Sequence, residues 1–281
     1  MTQHATTSLK LEHLRIVPST AEQDSENPTN RHIILVEFAR PEVANALDFE
    51  HLRDIETLAL ALRDDDEIRT VIFTGQGKHF SSGADLTESG EQYAGSLALR
   101  RRKTRIGERA IKAVLGIDQI TIAAWNGAAM GGGACLATAM DFRIGASNCF
   151  MQYPEIDIGL NLMWKSLPLI VDLVGPARAK RLVVGGERVG AKTLLEWGVL
   201  DDLVTPEELQ PAALALAQHY AAKPPIAAQM IKRSINALSA PVGEAIMHMD
   251  SDQNLFTQQT TDRAEAIKAY LNKSKANFTG N

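Results

Sequence analysis

Cysteine is scarce. Cys135 and Cys149 are the two in 281 residues; they form no CxxC pair, and no histidine cluster completes a metal set. A chain that is 45% hydrophobic has core enough to dispense with a disulfide framework, so a reducing compartment, the cytoplasm, is the expectation. No apolar run reaches the roughly 18 residues that a membrane helix needs. Met1 to Ser8 lacks the basic patch and apolar stretch of a secretory signal. Acidic Glu12, Glu22, Asp24 and Glu26 fit poorly with a mitochondrial presequence, and the last three residues are not a peroxisomal signal. There is no excess of positive charge either: the formal net charge is -5 and the pI about 5.8. A general nucleic-acid binder is thereby disfavoured, since little is available to replace phosphate counterions. Internal repeats and low-complexity segments are also lacking.

What is present is an alternation. Residues 18–31 are polar and read as a loop or hairpin insertion between two early strands. Ile33–Phe38 reads as a strand, Asp48–Leu62 as a helix with Leu52, Ile55, Leu58, Ala59 and Leu62 on one face, and Thr70–Thr74 as a β-branched strand. A long helical stretch is predicted over Glu91–Leu115, then strand Ile120–Trp125, a helix from Gly131–Gly133 through Met140, and strand Phe142–Ile144. Such alternation predicts parallel strands with helical crossovers. Thr205-Pro206-Glu207-Glu208 carries the marks of a capped helix start. The composition is helical from there to Lys273, with breaks at Pro224-Pro225 and Pro241. The expected division is residues 1–31 as an N-terminal strand and polar loop, 32–204 as a βα core and 205–281 as a helical C-terminal region.

Two glycine turns hold the chemical interest. In His79-Phe80-Ser81-Ser82-Gly83-Ala84-Asp85-Leu86, Gly83 permits a turn that leaves the Ala84 amide unpaired and aimed into a cleft. A plain loop with a helix start near Asp85 is the alternative. In Asn126-Gly127-Ala128-Ala129-Met130-Gly131-Gly132-Gly133-Ala134-Cys135 a strand runs into three glycines and a helix. The first amides there lack internal acceptors and suit a developing oxyanion; a glycine turn serving packing alone is the other reading. The dinucleotide GxGxxG spacing is absent. Together the two turns can clamp one thioester oxygen, the atom that takes the charge when an α-proton is removed.

These segments, with Arg40-Pro41-Glu42-Val43-Ala44-Asn45-Ala46-Leu47, Tyr153-Pro154-Glu155, Gly198-Val199-Leu200-Asp201 and the ending from Ala269 to Phe278, resemble the enoyl-CoA hydratase/isomerase (crotonase) superfamily in order and spacing over roughly residues 32–279. Each motif alone is weak; six in order are specific for the superfamily and much less so for the reaction. The resemblance implies an α/β crotonase-like fold: a spiral of ββα units followed by a helical trimerisation region. It implies an acyl-CoA substrate with no permanently bound cofactor, and a homotrimer or dimer of trimers. Ala84 and Gly132 are the implied oxyanion amides, and Ala84, Asp85, Leu86 and Thr87 the implied coenzyme A loop. Tyr270 and Lys273 are expected to reach a neighbouring subunit's coenzyme A.

The same resemblance bears on the reaction. Family hydratases use two glutamates; the later is present as Glu155, and Cys135 occupies the place of the earlier. A lone carboxylate resembles the enoyl-CoA isomerases, in which one glutamate takes a proton from C2 and delivers it to C4. A hydratase with its second group from Glu88, Glu91 or Asp157, a hydrolase or lyase branch, and a non-catalytic acyl-CoA-binding member are the alternatives. Met163 and Trp164, in a segment where hydratases have several glycines, are expected to narrow or reshape the acyl pocket. His79 and His248 are further acid–base candidates more simply explained as structural or exposed. Arg100, Arg101, Arg102, Lys103 and Arg105 are either a phosphate patch or a solvated helix face.

Overall fold

The computed structural model describes residues 6, 9–18, 29–88, 95–239 and 249–281; His248, Glu91 and Pro241 lie outside them. The described elements are β1 (Leu14–Pro18), β2 (Ile33–Phe38), α1 (Phe49–Leu62), β3 (Thr70–Gly75), α2 (Leu97–Lys103) and α3 (Ile106–Leu115). They continue with β4 (Ile120–Trp125), β5 (Ala128–Met130), α4 (Gly132–Thr138), β6 (Phe142–Ala146), β7 (Phe150–Gln152) and α5 (Ser166–Val183), the last broken at Gly175-Pro176. Then come β8 (Val189–Gly190), α6 (Ala191–Glu196), β9 (Asp202–Val204), α7 (Leu209–Ala221), α8 (Pro225–Ser239), α9 (Asp250–Thr257) and α10 (Thr261–Leu271).

The main sheet has the order β1-β2-β3-β4-β6-β9. β1 pairs antiparallel with β2, and every later neighbour is parallel. β3 is buried along its whole length, as a strand covered on both faces is, and its sequence, Val71–Phe73 between two threonines, shows no apolar–polar alternation. One face carries α1, α3 and α4. The other is closed by α7, which places Leu209, Ala213, Ala217 and Ala221 on Ile33, Ile72, Ile122 and Ile144. Alanine at every fourth position lets that helix lie close to the sheet.

A second sheet, β5-β7-β8, stands beside the first. The chain passes into it through Asn126-Gly127, between β4 and β5, so β4-β5-α4 is one ββα unit and β6-β7 opens the next. The sequence reading treated β4 and the glycines as continuous and missed β5, because three residues are too few to show a period.

Three further expectations are corrected. The single helix over Glu91–Leu115 is two helices within its described part, α2 and α3, parted at Thr104-Arg105. The helix after the triple glycine ends at Thr138 rather than Met140. Regular helix begins at Leu209, not within Thr205–Glu208. There the Glu208 carboxylate does reach back to the Thr205 N–H (3.1 Å), but the Thr205 hydroxyl donates to that carboxylate (2.9 Å) instead of capping an amide.

Candidate active site

Two asparagines hold three successive turns together. Asn45 is fully buried with φ at 55°, in the left-handed region that asparagine tolerates better than most residues. Its side chain accepts from the Arg40 N–H (3.0 Å) and donates to the carbonyls of Gln76 (3.0 Å) and His79 (2.8 Å). Asn126 donates to the carbonyls of Gly75 (2.7 Å) and Gly77 (3.1 Å) and accepts from the Gly75 N–H (3.2 Å). The turns after β2, β3 and β4 are thus cross-linked.

His79 accepts the Ala128 N–H through Nδ1 (3.2 Å), a structural use of the ring. Arg40 bridges two carboxylates, Asp48 at 3.0 Å and Asp85 at 3.1 Å. Burial alone would raise the Asp85 pKa; hydrogen bonds from Thr87 and Arg40 overcome it and hold the carboxyl below its ordinary value.

On this frame Ser81–Asp85 is threaded between two neighbours. On one side the Ser81 N–H donates to Ala128 O and the Met130 N–H to Ser81 O, both at 3.0 Å; on the other, the Leu47 N–H donates to Gly83 O (2.8 Å) and the Asp85 N–H to Leu47 O (3.0 Å). The bridge to Leu47 uses groups of Gly83 and Asp85, so the intervening Ala84 N–H faces away from it, as alternate residues of a strand do. Gly83 has φ at 91°. A Cβ there would stand 2.6 Å from Met130 O and 3.3 Å from the Gly132 nitrogen, so the two glycine turns touch. Gly132 is the first residue of α4, and its N–H has no partner within the helix. At seven residues α4 contributes little macrodipole; the amides themselves are the resource.

Glu155 follows β7 and is fixed through its backbone, its carbonyl accepting from Leu160 N–H at 2.8 Å. A Cβ on Gly131 (φ 46°) would lie 2.6 Å from Glu155 Oε1, so only glycine admits the carboxylate there. The residue as a whole is partly exposed, but Oε2 is shielded and without a hydrogen-bond partner among the described residues. Desolvation pushes its pKa from 4.5 up to about 7.

One helical turn past Gly131 sits Cys135, 1% exposed. Burial first, and then the Glu155 charge, raise its thiol pKa well above the ordinary value, which favours the protonated thiol. The Gly132 α-carbon of the same peptide is covered by Trp164, only 8% exposed. A Cβ on Gly132 would be 2.1 Å from its ring, and one on Gly107 of α3 2.0 Å from the same indole. The ring therefore lies between α3 and α4. Trp164 (φ 65°) and Lys165 (φ 57°) are consecutive non-glycine residues in the left-handed region, costing on the order of 1–3 kcal/mol each. The indole packing and a bond from the Lys165 N–H to Asp250 Oδ2 (2.9 Å) hold them there.

The enoyl-CoA hydratase/isomerase family model matches residues 28–281. The chain belongs to this family. Among curated relatives, it is 31% identical over 240 residues to crotonyl-CoA hydratase of Syntrophomonas wolfei, covering 85% of this chain and 91% of that one. It is 33% identical over 224 residues to carnitinyl-CoA dehydratase of Escherichia coli, covering 79% and 84%. Among solved structures, Pseudomonas aeruginosa DspI is 30% identical with a TM-score of 0.73 over 97% of this chain and 99% of its own. An enoyl-CoA hydratase from Mycobacterium avium subsp. paratuberculosis is 21% identical with a TM-score of 0.82 over 96% and 100%. The fold is the crotonase-like one expected from the sequence.

The remaining candidates of this family member are spread more widely. Leu86 (64% exposed) and Thr87 lie at the surface beside Ala84, and Tyr270 (65% exposed) and Lys273 lie at the surface at the end of α10. None of the hydrogen bonds or ion pairs of the described residues links Tyr270 or Lys273 to Ala84, Gly132 or Glu155. Glu88 is engaged with the Phe49 N–H at 3.0 Å, at the start of α1; Asp157 is exposed. In the arginine cluster, Arg101 is paired with Asp252 of α9.

A cavity of about 940 Å³ lies between α3, α5 and α8, at the Thr138–Met140 end of α4, and contains none of Ala84, Gly132 or Glu155. Arg40, Asn45 and Asn126 lie inside the family-like motifs, yet their bonding roles emerge only in the structure, as does the Asp250 anchor, which only folding brings to Lys165.

Proposed function

We propose that the chain moves a double bond along an enoyl-CoA thioester, with Glu155 as its single acid/base. The thioester oxygen sits between the N–H groups of Ala84 and Gly132. The Glu155 carboxylate takes a proton from C2, the charge passes to the thioester oxygen, and the same carboxyl returns a proton to C4 as the double bond forms between C2 and C3. A pKa near 7 suits both halves of that exchange. The observation that carries the reading is one desolvated carboxyl, its Oε2 shielded, against the Gly131–Gly132 peptide, with a buried thiol, Cys135, where the family resemblance implies a second carboxylate.

Coenzyme A is read as lying along Ala84, Asp85, Leu86 and Thr87, with Tyr270 and Lys273 contributed by a neighbouring chain of a homotrimer or dimer of trimers. The division at about residues 31 and 204 is kept in this reading, the last part serving assembly. Support for assembly comes from α8, where Ile226, Met230, Ile231, Ile235 and Leu238 are 59–82% exposed, a concentration of large apolar side chains on one helix that a neighbouring chain would cover.

Hydration is the second reading. The names of the crotonyl-CoA hydratase and carnitinyl-CoA dehydratase relatives favour it. Glu155→Gln tests the first: it keeps the side chain's shape while removing the base. The expected result is retained acyl-CoA binding with double-bond migration reduced by about 100-fold or more. Unchanged migration in the variant overturns the assignment.

A further inference from the structure

We infer that Trp164 is the specificity-determining wall of the acyl pocket and that it restricts the enzyme to short acyl groups; this rests on the acyl-CoA reading above. The Gly131–Gly132 peptide is flanked on one α-carbon by the Glu155 carboxylate and on the other by the Trp164 indole. A substrate whose thioester oxygen meets the Gly132 N–H, and whose reacting carbons meet Glu155, lies against the α-carbon that the ring covers, and in this proposal the rest of its acyl chain runs toward that ring. The slot between α3 and α4 is occupied by the indole, with Gly107 and Gly132 each giving up a side chain to admit it. An acyl tail cannot share the slot with the ring.

The wall is also fixed rather than free to swing. Trp164 and Lys165 are both held in the left-handed region. The Trp164 carbonyl accepts from the Ser166 hydroxyl (3.2 Å), and the Lys165 N–H is bound to buried Asp250 of α9. The Lys165 ammonium stands 3.9 Å from Glu108 of α3. Moving the ring out to accommodate a long chain would break contacts to three separate elements. The substrate class this selects is the thioester of a small, short-chain acyl group.

The test is calorimetric binding of unreactive saturated acyl-CoAs with four-, eight- and twelve-carbon chains, on the full chain, for the natural protein, Trp164→Phe and Trp164→Gly. Glycine suits the left-handed backbone at this position and empties the slot. The natural protein is expected to bind the four-carbon ligand tightest. Trp164→Gly is expected to improve twelve-carbon binding by about 10-fold or more, as an opened hydrophobic pocket does, and Trp164→Phe to fall between. Equal affinity across chain lengths in the natural protein overturns the inference, and so does an unchanged profile in the folded Phe variant. Absence of binding to any acyl-CoA overturns the acyl-CoA reading itself, and this inference with it.

Discussion

At the scale of single residues, the proposed chemistry turns on how one carboxyl is kept from water. Free glutamate titrates near 4.5, and Glu155 is pushed up to about 7 by desolvation. The unfolded chain therefore loses this proton at lower pH than the folded one, and folding loses stability as pH rises from about 4.5 to 7. The shift corresponds to a penalty on the order of 3 kcal/mol above pH 7 that is absent below about pH 4.5. Glu155→Gln removes that dependence. Urea denaturation at pH 5 and pH 8 should show the variant gaining on the natural protein as pH rises; an equal difference at both values contradicts the burial argument.

Cys135 supplies a second prediction at this scale. Cys135→Ala should leave double-bond migration within a few-fold of normal at a stability cost of about 1 kcal/mol. A loss of orders of magnitude means the thiol takes part. Cys135→Glu should bring measurable water addition to a 2-enoyl-CoA, provided a denaturation curve shows the variant folded. A folded variant with no such gain contradicts the proposal that a second carboxylate at this position decides between isomerisation and hydration.

At the scale of elements, the candidate site is a product of turns and of one helix start. The ends of β2, β3 and β4 are parallel neighbours, and Asn45 and Asn126 convert that adjacency into fixed positions for Ser81–Asp85 and Gly131–Gly132. Asn45→Ala removes three hydrogen bonds from a buried left-handed position. It should cost on the order of 2–4 kcal/mol in chemical denaturation and lower turnover further than the stability loss explains. Full turnover in a folded Asn45→Ala protein would show that the turns hold themselves.

Much of this was legible beforehand. The strands β2, β3 and β4 and the helix α1 stood out by period, and the turns that carry Ala84, Gly132 and Glu155 by motif. The geometry that was not legible is of two kinds. β5 is three residues long and leaves no periodic trace. The seating of Trp164 between Gly107 and Gly132, and the bond from Lys165 to Asp250, join positions tens of residues apart whose types give no hint of a partner.

At the scale of the whole molecule, the helical C-terminal part does two things in this account. Through Asp250 it steadies the turn that carries Trp164, and in the proposed assembly it delivers Tyr270 and Lys273 to a neighbour. Sedimentation at micromolar concentration should give the mass of three or six chains, and a one-chain mass contradicts the assembly. Removing residues 262–281 should weaken both association and acyl-CoA binding, measured on the same preparation.

The central claim, one carboxyl moving a double bond without adding water, is tested most directly by the products. The protein is incubated separately with a 3-enoyl-CoA and a 2-enoyl-CoA of short chain, and the products are resolved by mass and chromatographic position. The account predicts that the 3-enoyl thioester is converted to the 2-enoyl isomer with no change in mass, and that neither substrate gains the mass of a water molecule. A product heavier by one water from the 2-enoyl thioester, with no isomer formed from the 3-enoyl thioester, would contradict it.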